Sequence, residues 1–157
     1  MPLDRTDLRL LAALQKNARL SNKELAEHVH LAPSSCLERV RRLREEGVLG
    51  EAHAEVNAES LGIGLRAMIA IQLRQHSREL VESFHDYVIG LPEVVSVYHV
   101  AGDDDFLVHV AVRDAHQLRD LTMDAFTTRA EVARLRTALV YRHERRWPLP
   151  VYSSVER

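Results

Sequence analysis

Apolar positions in the first third of the chain recur at helical spacing and predict short helices. The first helix runs from about Asp4 to Asn17, with Asp4 or Thr6 as its N-cap residue. Its apolar stripe comprises Leu8, Leu11, Ala12 and Leu14. This spacing indicates a helix that packs one side against other elements and exposes the rest.

The second and third helices are separated by a tight break. Ser21 is a suitable N-cap, because Glu24 three residues later completes a capping box, and the helix then stops near His30. Proline favours the first turn of a helix, since its missing N–H is not needed there, so the third helix runs from about Pro33 to Glu46. Two short helices joined in this way predict a helix-turn-helix.

The third helix has one apolar face, formed by Cys36, Val40 and Leu43. The remaining surface faces solvent or a ligand, and its hydroxyl, carboxylate and guanidinium groups suit base edges and phosphates. The alternative is a solvated helix whose arginines pair with Glu38, Glu45 and Glu46. DNA binding explains the caps, the break and the arginines together. The predicted DNA-binding residues are Ser34, Ser35, Glu38, Arg39, Arg41 and Arg42.

Beyond Gly47, which suits the left-handed cap of the third helix, the residues 48–56 read as a short extended segment. A winged helix places a strand or wing there. We therefore predict a winged helix-turn-helix over residues 1–55, a linker over 56–64, and a second domain over 65–157.

The second domain alternates strands and helices in the order β-α-β-β-α-β. Period-two and β-branched runs predict the strands, helical spacing predicts the helices, and an evident hairpin joins the middle strands. The strands cover 66–74, 94–101, 106–112 and 132–142, and the helices cover 78–91 and the segment from Leu118 to Phe126. The fold class is therefore α+β: a winged helix-turn-helix followed by a ferredoxin-like βαββαβ domain with a four-stranded antiparallel sheet.

Two helices cover only one face of such a sheet. The strands supply more apolar surface than one helix layer needs, so we expect the uncovered face to pack against a second copy. The residues that suggest this surplus are Ala67, Ile69, Val95, Val97, Val108 and Val110. A homodimer with two winged domains would read two half-sites in double-stranded DNA.

Composition limits the remaining possibilities. No apolar run is long enough to span a membrane, and the N-terminus lacks a secretory signal, so we expect a cytoplasmic protein. The single cysteine, Cys36, falls on an apolar helix face and is predicted to be buried. The net charge is −2, but residues 1–50 carry +2 and the rest carry −4. DNA binding would therefore depend on a local arginine surface and on dimerisation.

An enzyme is the rival class. Three consecutive aspartates at 103–105, with His99 and His109 nearby, have the side chains for a metal site or for acid and base catalysis. Neighbouring residues of a tight turn point apart, however, and the histidines show no ligand spacing. We therefore predict neither catalytic residues, nor a metal, nor a bound cofactor.

The chain resembles the leucine-responsive regulatory and asparagine-regulator (Lrp/AsnC) family of transcription factors over nearly its whole length. The matching segments, in family order, are LDRTDLRLLAALQKNARLSNKELAEHV, CLERVRRLREEGVL, VNAESLG, VYHVAGDDDF and the strand RTALV. The resemblance implies a C-terminal domain of the RAM type that senses an amino acid between subunits. It also implies dimers that assemble into octamers or similar rings.

The resemblance places the effector at the hairpin turn. Gly102, Asp103, Asp105 and Phe106 match the family pattern, whereas Asp104 stands where relatives often have a larger residue. The turn amides would take a carboxylate and Asp105 an amino group, and the extra charge of Asp104 favours a basic or polar amino acid. A solvated acidic turn without a ligand is the alternative. An effector-independent architectural or interaction protein also stays open.

Two further departures from the family pattern lie in the helix-turn-helix. His30 stands where glycine is usual, and Ala32 stands where a serine cap is usual. Each costs up to ~1 kcal/mol of stability, because a histidine disfavours left-handed backbone and an alanine side chain cannot cap a helix.

Overall fold

The structure, a computed structural model, describes residues 3–152. These residues form two compact units, one of residues 3–54 with 144–152 and one of residues 55–143. The second unit therefore ends earlier than the domain predicted over 65–157, since residues 144–152 group with the N-terminal helices. There the backbone N–H of Leu149 donates to Gln15 Oε1 at 3.0 Å. Residues 1–2 and 153–157 of the predicted domains lie outside the described part of the chain.

The first unit contains the three predicted helices. Helix α1 spans Arg5–Lys16, α2 spans Asn22–Val29 and α3 spans Pro33–Glu45, each within one residue of its predicted bounds. The helices enclose a small core that comprises Leu10, Leu25, Ala26, Val29, Cys36 and Val40. The fully buried leucine of α1 is Leu10, whereas the four residues of the predicted stripe are half-buried. The side of α1 that faces the core is therefore centred nearer to Leu10 than the sequence predicted.

The segment after α3 is irregular. Residues 48–56 were predicted to be extended at the position of a wing, but no residue between 48 and 56 belongs to a strand. An isolated extended segment lacks the partner strand that would satisfy its backbone groups, so extended sequence alone does not form a strand. One short 3₁₀ turn, Glu59–Leu61, then precedes the sheet.

The second unit contains four strands and two helices. Their bounds are β1 Leu65–Leu73, α4 Arg78–Ile89, β2 Val94–His99, β3 Phe106–Val112, α5 Ala115–Leu121 and β4 Val132–Leu139. Helix α5 continues directly into a π-helical turn, Thr122–Thr127. The strands form the predicted four-stranded antiparallel sheet, in the order β2-β3-β1-β4. Strand β4 is three residues shorter than predicted, and the order of elements confirms the ferredoxin-like arrangement.

One face of the sheet packs against the helices. Its fully buried side chains alternate along the two central strands, as the strand period of two requires. They are Ala67, Ile69, Ile71 and Leu73 on β1 and Phe106, Val108, Val110 and Val112 on β3. Phe84 and Val88 of α4 and Phe126 after α5 complete this core. Among residues 3–152 no helix is long and apolar enough to cross a membrane.

The six residues that suggested surplus apolar surface lie mostly on the covered face. Ala67, Ile69, Val108 and Val110 are fully buried under the helices, and Val97 pairs with Val108 on the same face. Of the six, only Val95 is exposed, at a register shift of β2. As a set, these residues therefore do not indicate an apolar open face, because β-branched composition does not reveal which face of the sheet each side chain occupies. The open face instead mixes apolar and polar side chains: Arg66, Met68, Ala70, Gln72, Ser96, Tyr98, Leu107, His109 and Ala111.

Candidate functional site

The start of α2 is held by the predicted capping box. The backbone N–H of Glu24 donates to Ser21 Oγ at 3.3 Å, and the Glu24 carboxylate accepts the Ser21 backbone N–H at 2.8 Å. The Ser21 hydroxyl and N–H hold the pKa of Glu24 below its usual range. This reciprocal bonding satisfies two otherwise unpaired groups and fixes the point at which α2 begins.

The turn between α2 and α3 has the two predicted weaknesses. His30 adopts left-handed backbone at φ 58 and ψ 48, and it is the C-cap of α2. Ala32 is the N-cap of α3 and makes no side-chain capping bond. A compensating contact comes from Asn22, whose Nδ2 donates to the carbonyl of Pro33 at 2.8 Å. The turn is therefore tied to the first residue of α2 by a bond that sequence reasoning missed.

The inner face of α3 is as predicted. Cys36, Val40 and Leu43 are buried, and burial raises the pKa of the Cys36 thiol. The cysteine therefore acts as a small apolar residue that packs α3 against the other helices. This packing leaves the opposite side of α3 to meet solvent.

The outer face of α3 presents the hydroxyl and charged groups predicted for DNA. Ser34, Ser35, Glu38 and Arg41 are all exposed. Arg41 Nε lies 3.0 Å from Glu45 Oε1, but both side chains are largely exposed, so this pair contributes little to stability. Two neighbours that the prediction omitted share this face: Leu37, 59% exposed, and Arg44. Both could have been predicted from the sequence, because Leu37 lies three residues after Ser34 and Arg44 three residues after Arg41, which is the spacing of neighbours on one helix face.

Arg39 and Arg42 differ from the other arginines of α3, because they are half-buried against α1. Arg39 Nη1 lies 2.6 Å from Asp4 Oδ2 and 2.9 Å from Asp7 Oδ1. Arg42 Nη2 donates to both Asp7 oxygens, at 2.9 and 2.8 Å. The sequence prediction put Arg42 on the outward surface with Arg39 at its border. It anticipated only glutamates as alternative partners and missed these bonds, which join residues 32 to 35 positions apart.

Asp7 is the buried centre of this cluster, with 1% of its surface exposed. Asp4 and Asp7 also cap α1 reciprocally, since each carboxylate accepts the other's backbone N–H. The bond from the backbone N–H of Asp7, followed by those from Arg39, holds the pKa of Asp4 below its usual range. The two carboxylates in turn raise the pKa of Arg39. We call these four residues, Asp4, Asp7, Arg39 and Arg42, the α1–α3 ion cluster.

The predicted effector turn joins β2 to β3. Gly102 has φ 138, a conformation that glycine adopts without strain, and Asp103 is exposed beside it. The Asp105 carboxylate is already engaged: it accepts the Leu73 backbone N–H at 2.7 Å and lies 2.9 Å from His76 Nε2. Asp105, predicted to take the amino group of an effector, therefore also has a structural role in the turn.

Asp104 and Phe106 also differ from the expectation. Asp104 is only 15% exposed at its side chain and forms an ion pair with Arg136 of β4, which neutralises the extra charge that favoured a basic ligand. Phe106 is fully buried in the helix-side core, between Phe84 and His99. Within one chain it cannot touch a ligand at the turn. Of the three aspartates, Asp103 is the most exposed.

The histidines considered for catalysis do not meet. His99 pairs in register with Phe106, whereas His109 lies three residues further along β3 and therefore on the other face of the sheet. His109 is buried and its Nε2 has no hydrogen-bond partner within residues 3–152. Burial, then the charges of His143 and Arg66, lower its pKa. Among residues 3–152 no group of three histidine, cysteine, aspartate or glutamate side chains is arranged to hold a metal.

Comparison with known proteins identifies both domains. A model of winged helix-turn-helix DNA-binding domains matches residues 3–49, and a model of the Lrp/AsnC ligand-binding domain matches residues 66–147. The chain belongs to the Lrp/AsnC family. It is a DNA-binding transcriptional regulator of that type, and the family consists of regulators rather than enzymes.

Individual relatives cover almost the whole chain. The HTH-type transcriptional regulator AldR of Mycolicibacterium smegmatis is 41% identical over 91% of this chain and 84% of its own length. The leucine-responsive regulatory protein of Rhizobium meliloti is 33% identical over 89% of this chain and 90% of its own. A solved transcriptional regulator from Neisseria meningitidis, in complex with L-Met, has a TM-score of 0.86, 32% identity, and coverage of 94% of this chain and 96% of that one.

Proposed function

We propose that this Lrp/AsnC regulator reads double-stranded DNA in the cytoplasm with the outer face of α3, and that an amino acid bound between subunits at the β2–β3 turn adjusts that binding. It acts by binding, without catalysis. The single observation that carries the DNA assignment is the exposure of hydroxyl and charged side chains along one face of α3, the second helix of the helix-turn-helix. A helix of this kind fits the major groove, where donors and acceptors of the bases are exposed.

The contacts divide by exposure. Ser34, Ser35, Glu38 and Arg41 stand outward along α3 and form the surface that meets bases and phosphates. Arg39 and Arg42 border this surface with their guanidinium groups on α1, so their predicted role in DNA binding depends on the cluster that holds them. Leu37 adds an exposed apolar group in the middle of the face, where it suits the methyl group of thymine.

A homodimer gives two such helices. The open sheet face supports this proposal, because it carries the half-buried Met68 and Leu107 and the exposed Tyr98 beside polar neighbours. Two α3 helices on one dimer would contact half-sites about one helical turn, roughly 34 Å, apart. Assembly of dimers into octamers or rings is part of the same proposal.

The effector site is proposed at Gly102, Asp103, Asp104 and Asp105, with Phe106 supporting the turn from the core. A neighbour of the same fold was solved with L-Met, which supports an amino acid as the class of ligand. Because Asp104 is paired with Arg136, the preference for a basic amino acid rests on Asp103 alone. The alternative function is a DNA-binding protein of this fold that no effector controls.

DNA binding is tested by selecting an operator from random double-stranded DNA and measuring affinity against salt concentration for the full chain. The Arg41→Ala variant is expected to lose ~1–3 kcal/mol if Arg41 reads a base, or to flatten the salt slope by about one if it contacts a phosphate. The matched control is Arg19→Ala, which removes an exposed arginine away from α3. Equal binding by both variants and the wild type would refute the α3 assignment.

The effector is tested by calorimetric titration of the DNA-free protein with each of the twenty amino acids. Binding of one of them that Asp103→Asn weakens supports the turn as the site. If none binds, the effector-independent alternative is correct, and the operator affinity of the wild type should then be the same in the presence of every amino acid.

A further inference from the structure

The α1–α3 ion cluster divides the arginines of α3 into two classes. We propose that Asp7 is a positioning residue of the DNA-binding surface, which fixes α3 on α1 through Arg39 and Arg42. In this arrangement Arg41 and Arg44 make the charged contacts with DNA. This inference rests on the proposed function and specifies how its surface is built.

The buried carboxylate of Asp7 depends on its hydrogen bonds to α3. A carboxylate with 1% of its surface exposed is costly unless its oxygens are bonded, and here both oxygens accept guanidinium N–H groups. An ion pair on the protein surface, by contrast, is solvated and contributes little to stability. The bonds from Asp7 to α3 are therefore less screened by solvent than the exposed Arg41–Glu45 pair.

The geometry of the cluster fixes both the distance and the rotation of α3. Arg39 and Arg42 are three residues apart, one turn of the helix, and both reach the first turn of α1. Two points of attachment on successive turns restrain α3 from turning about its own axis. A rotation of α3 would exchange Arg41 for Arg42 on the surface that faces DNA.

The charges of the cluster cancel. Two carboxylates face two guanidinium groups, so Arg39 and Arg42 add little to the field that attracts phosphates. Arg42 Nε is buried and has no hydrogen-bond partner among the described residues. Arg41 and Arg44 are exposed on the other side of the outer face. Arg41 has only the exposed Glu45 as a partner, in a pair that solvent screens, and Arg44 forms no ion pair among residues 3–152, so these two arginines are the ones available to phosphates.

The Asp7→Asn variant separates positioning from direct phosphate contact, because the two roles predict opposite changes in operator affinity. If Asp7 positions α3, the folded variant binds its operator at least tenfold more weakly, although the lost carboxylate leaves one more net positive charge and nonspecific binding is not weakened. If Arg39 and Arg42 contact phosphates, removing the competing carboxylate tightens binding and steepens the salt slope, which would overturn the proposal. Unchanged operator affinity in a folded variant with a lowered melting temperature would also overturn it, since Asp7 would then be merely structural.

A second pair of variants decides the matter if Asp7→Asn does not fold. Arg42→Lys keeps the charge but cannot span both oxygens of Asp7, whereas Arg41→Lys keeps the charge at an exposed position. We expect Arg42→Lys to lose operator affinity about as much as Asp7→Asn, with the salt slope retained, and Arg41→Lys to lose much less. Equal tolerance of both lysines would reject the positioning role.

The proposed function and this inference fail in different experiments. If Arg41→Ala binds DNA like Arg19→Ala, the α3 surface itself is wrong. If Arg41→Ala weakens binding but Asp7→Asn and Arg42→Lys do not, the surface stands and only the positioning role is lost.

Discussion

The Asp105 carboxylate accepts the backbone N–H of Leu73 at 2.7 Å, across 32 positions of sequence. This bond ties the β2–β3 turn to the end of the central strand β1, where Leu73 is 2% exposed. The backbone N–H of Asp105 in turn donates to the carbonyl of Ile71 at 2.9 Å. The turn predicted to hold an effector is thus anchored by one of its own candidate ligand residues.

Asp105→Ala is expected to destabilise the protein by about 1–3 kcal/mol, because it leaves the Leu73 N–H without its acceptor. Urea unfolding of the full chain at a fixed protein concentration measures this, since assembly makes the apparent stability depend on concentration. Asp103→Ala, an exposed neighbour in the same turn, is the control and should be nearly neutral. Equal effects of the two substitutions would contradict the anchoring role.

His30→Gly is expected to stabilise the helix-turn-helix by up to ~1 kcal/mol. Left-handed backbone at φ 58 strains a histidine but not a glycine, and the gain is reduced by the extra freedom of glycine in the unfolded chain. Thermal unfolding measures the change. His28→Gly, which places glycine inside the last turn of α2, should instead lower the melting temperature. A loss of stability in His30→Gly would show that the histidine side chain makes an undetected contribution.

Ala32→Ser is expected to stabilise α3 by about 0.5–2 kcal/mol, because a serine hydroxyl at the N-cap accepts a backbone N–H that Ala32 leaves without a side-chain partner. Unfolding in urea, compared with Ala18→Ser in the exposed loop after α1, isolates the capping effect. The two variants should differ by most of this amount. If they are alike, water or the Pro33 turn already satisfies the helix start.

His109 should make the protein less stable as the pH falls below about 6.5, the ordinary value for histidine. Burial, with His143 and Arg66 nearby, lowers the pKa of His109 in the folded protein. The unfolded chain therefore takes up a proton first, so the contribution is fully present above pH 6.5 and is lost as the pH falls toward the folded pKa.

Stability curves of the wild type and His109→Gln between pH 7.5 and pH 5, roughly the titration range of histidine, test this. The variant should lose less stability over that range than the wild type. His28→Gln, at an exposed position of α2, is the matched control for the substitution itself. Parallel curves for the wild type and His109→Gln would mean that His109 is protonated in the folded state as easily as in the unfolded one.

The sequence by itself determined the elements whose signals are local. Ser21 and Glu24 predicted the start of α2, Cys36, Val40 and Leu43 predicted the inner face of α3, and the alternating runs predicted β1 and β3. These patterns work because capping bonds and helical or strand periods involve residues a few positions apart. The family was recognised separately, from sequence segments that resemble those of its members.

The tertiary structure decided what depends on residues far apart in the chain. Asp7 and Arg42 are 35 positions apart, and Asp104 and Arg136 are 32, so no local pattern indicated that these charges are paired. The face that Val108 and Val110 occupy depended on the phase of the sheet relative to its helices. Local sequence specifies which side chains an element presents, but only packing determines which of them meet a partner and which remain for DNA or an effector.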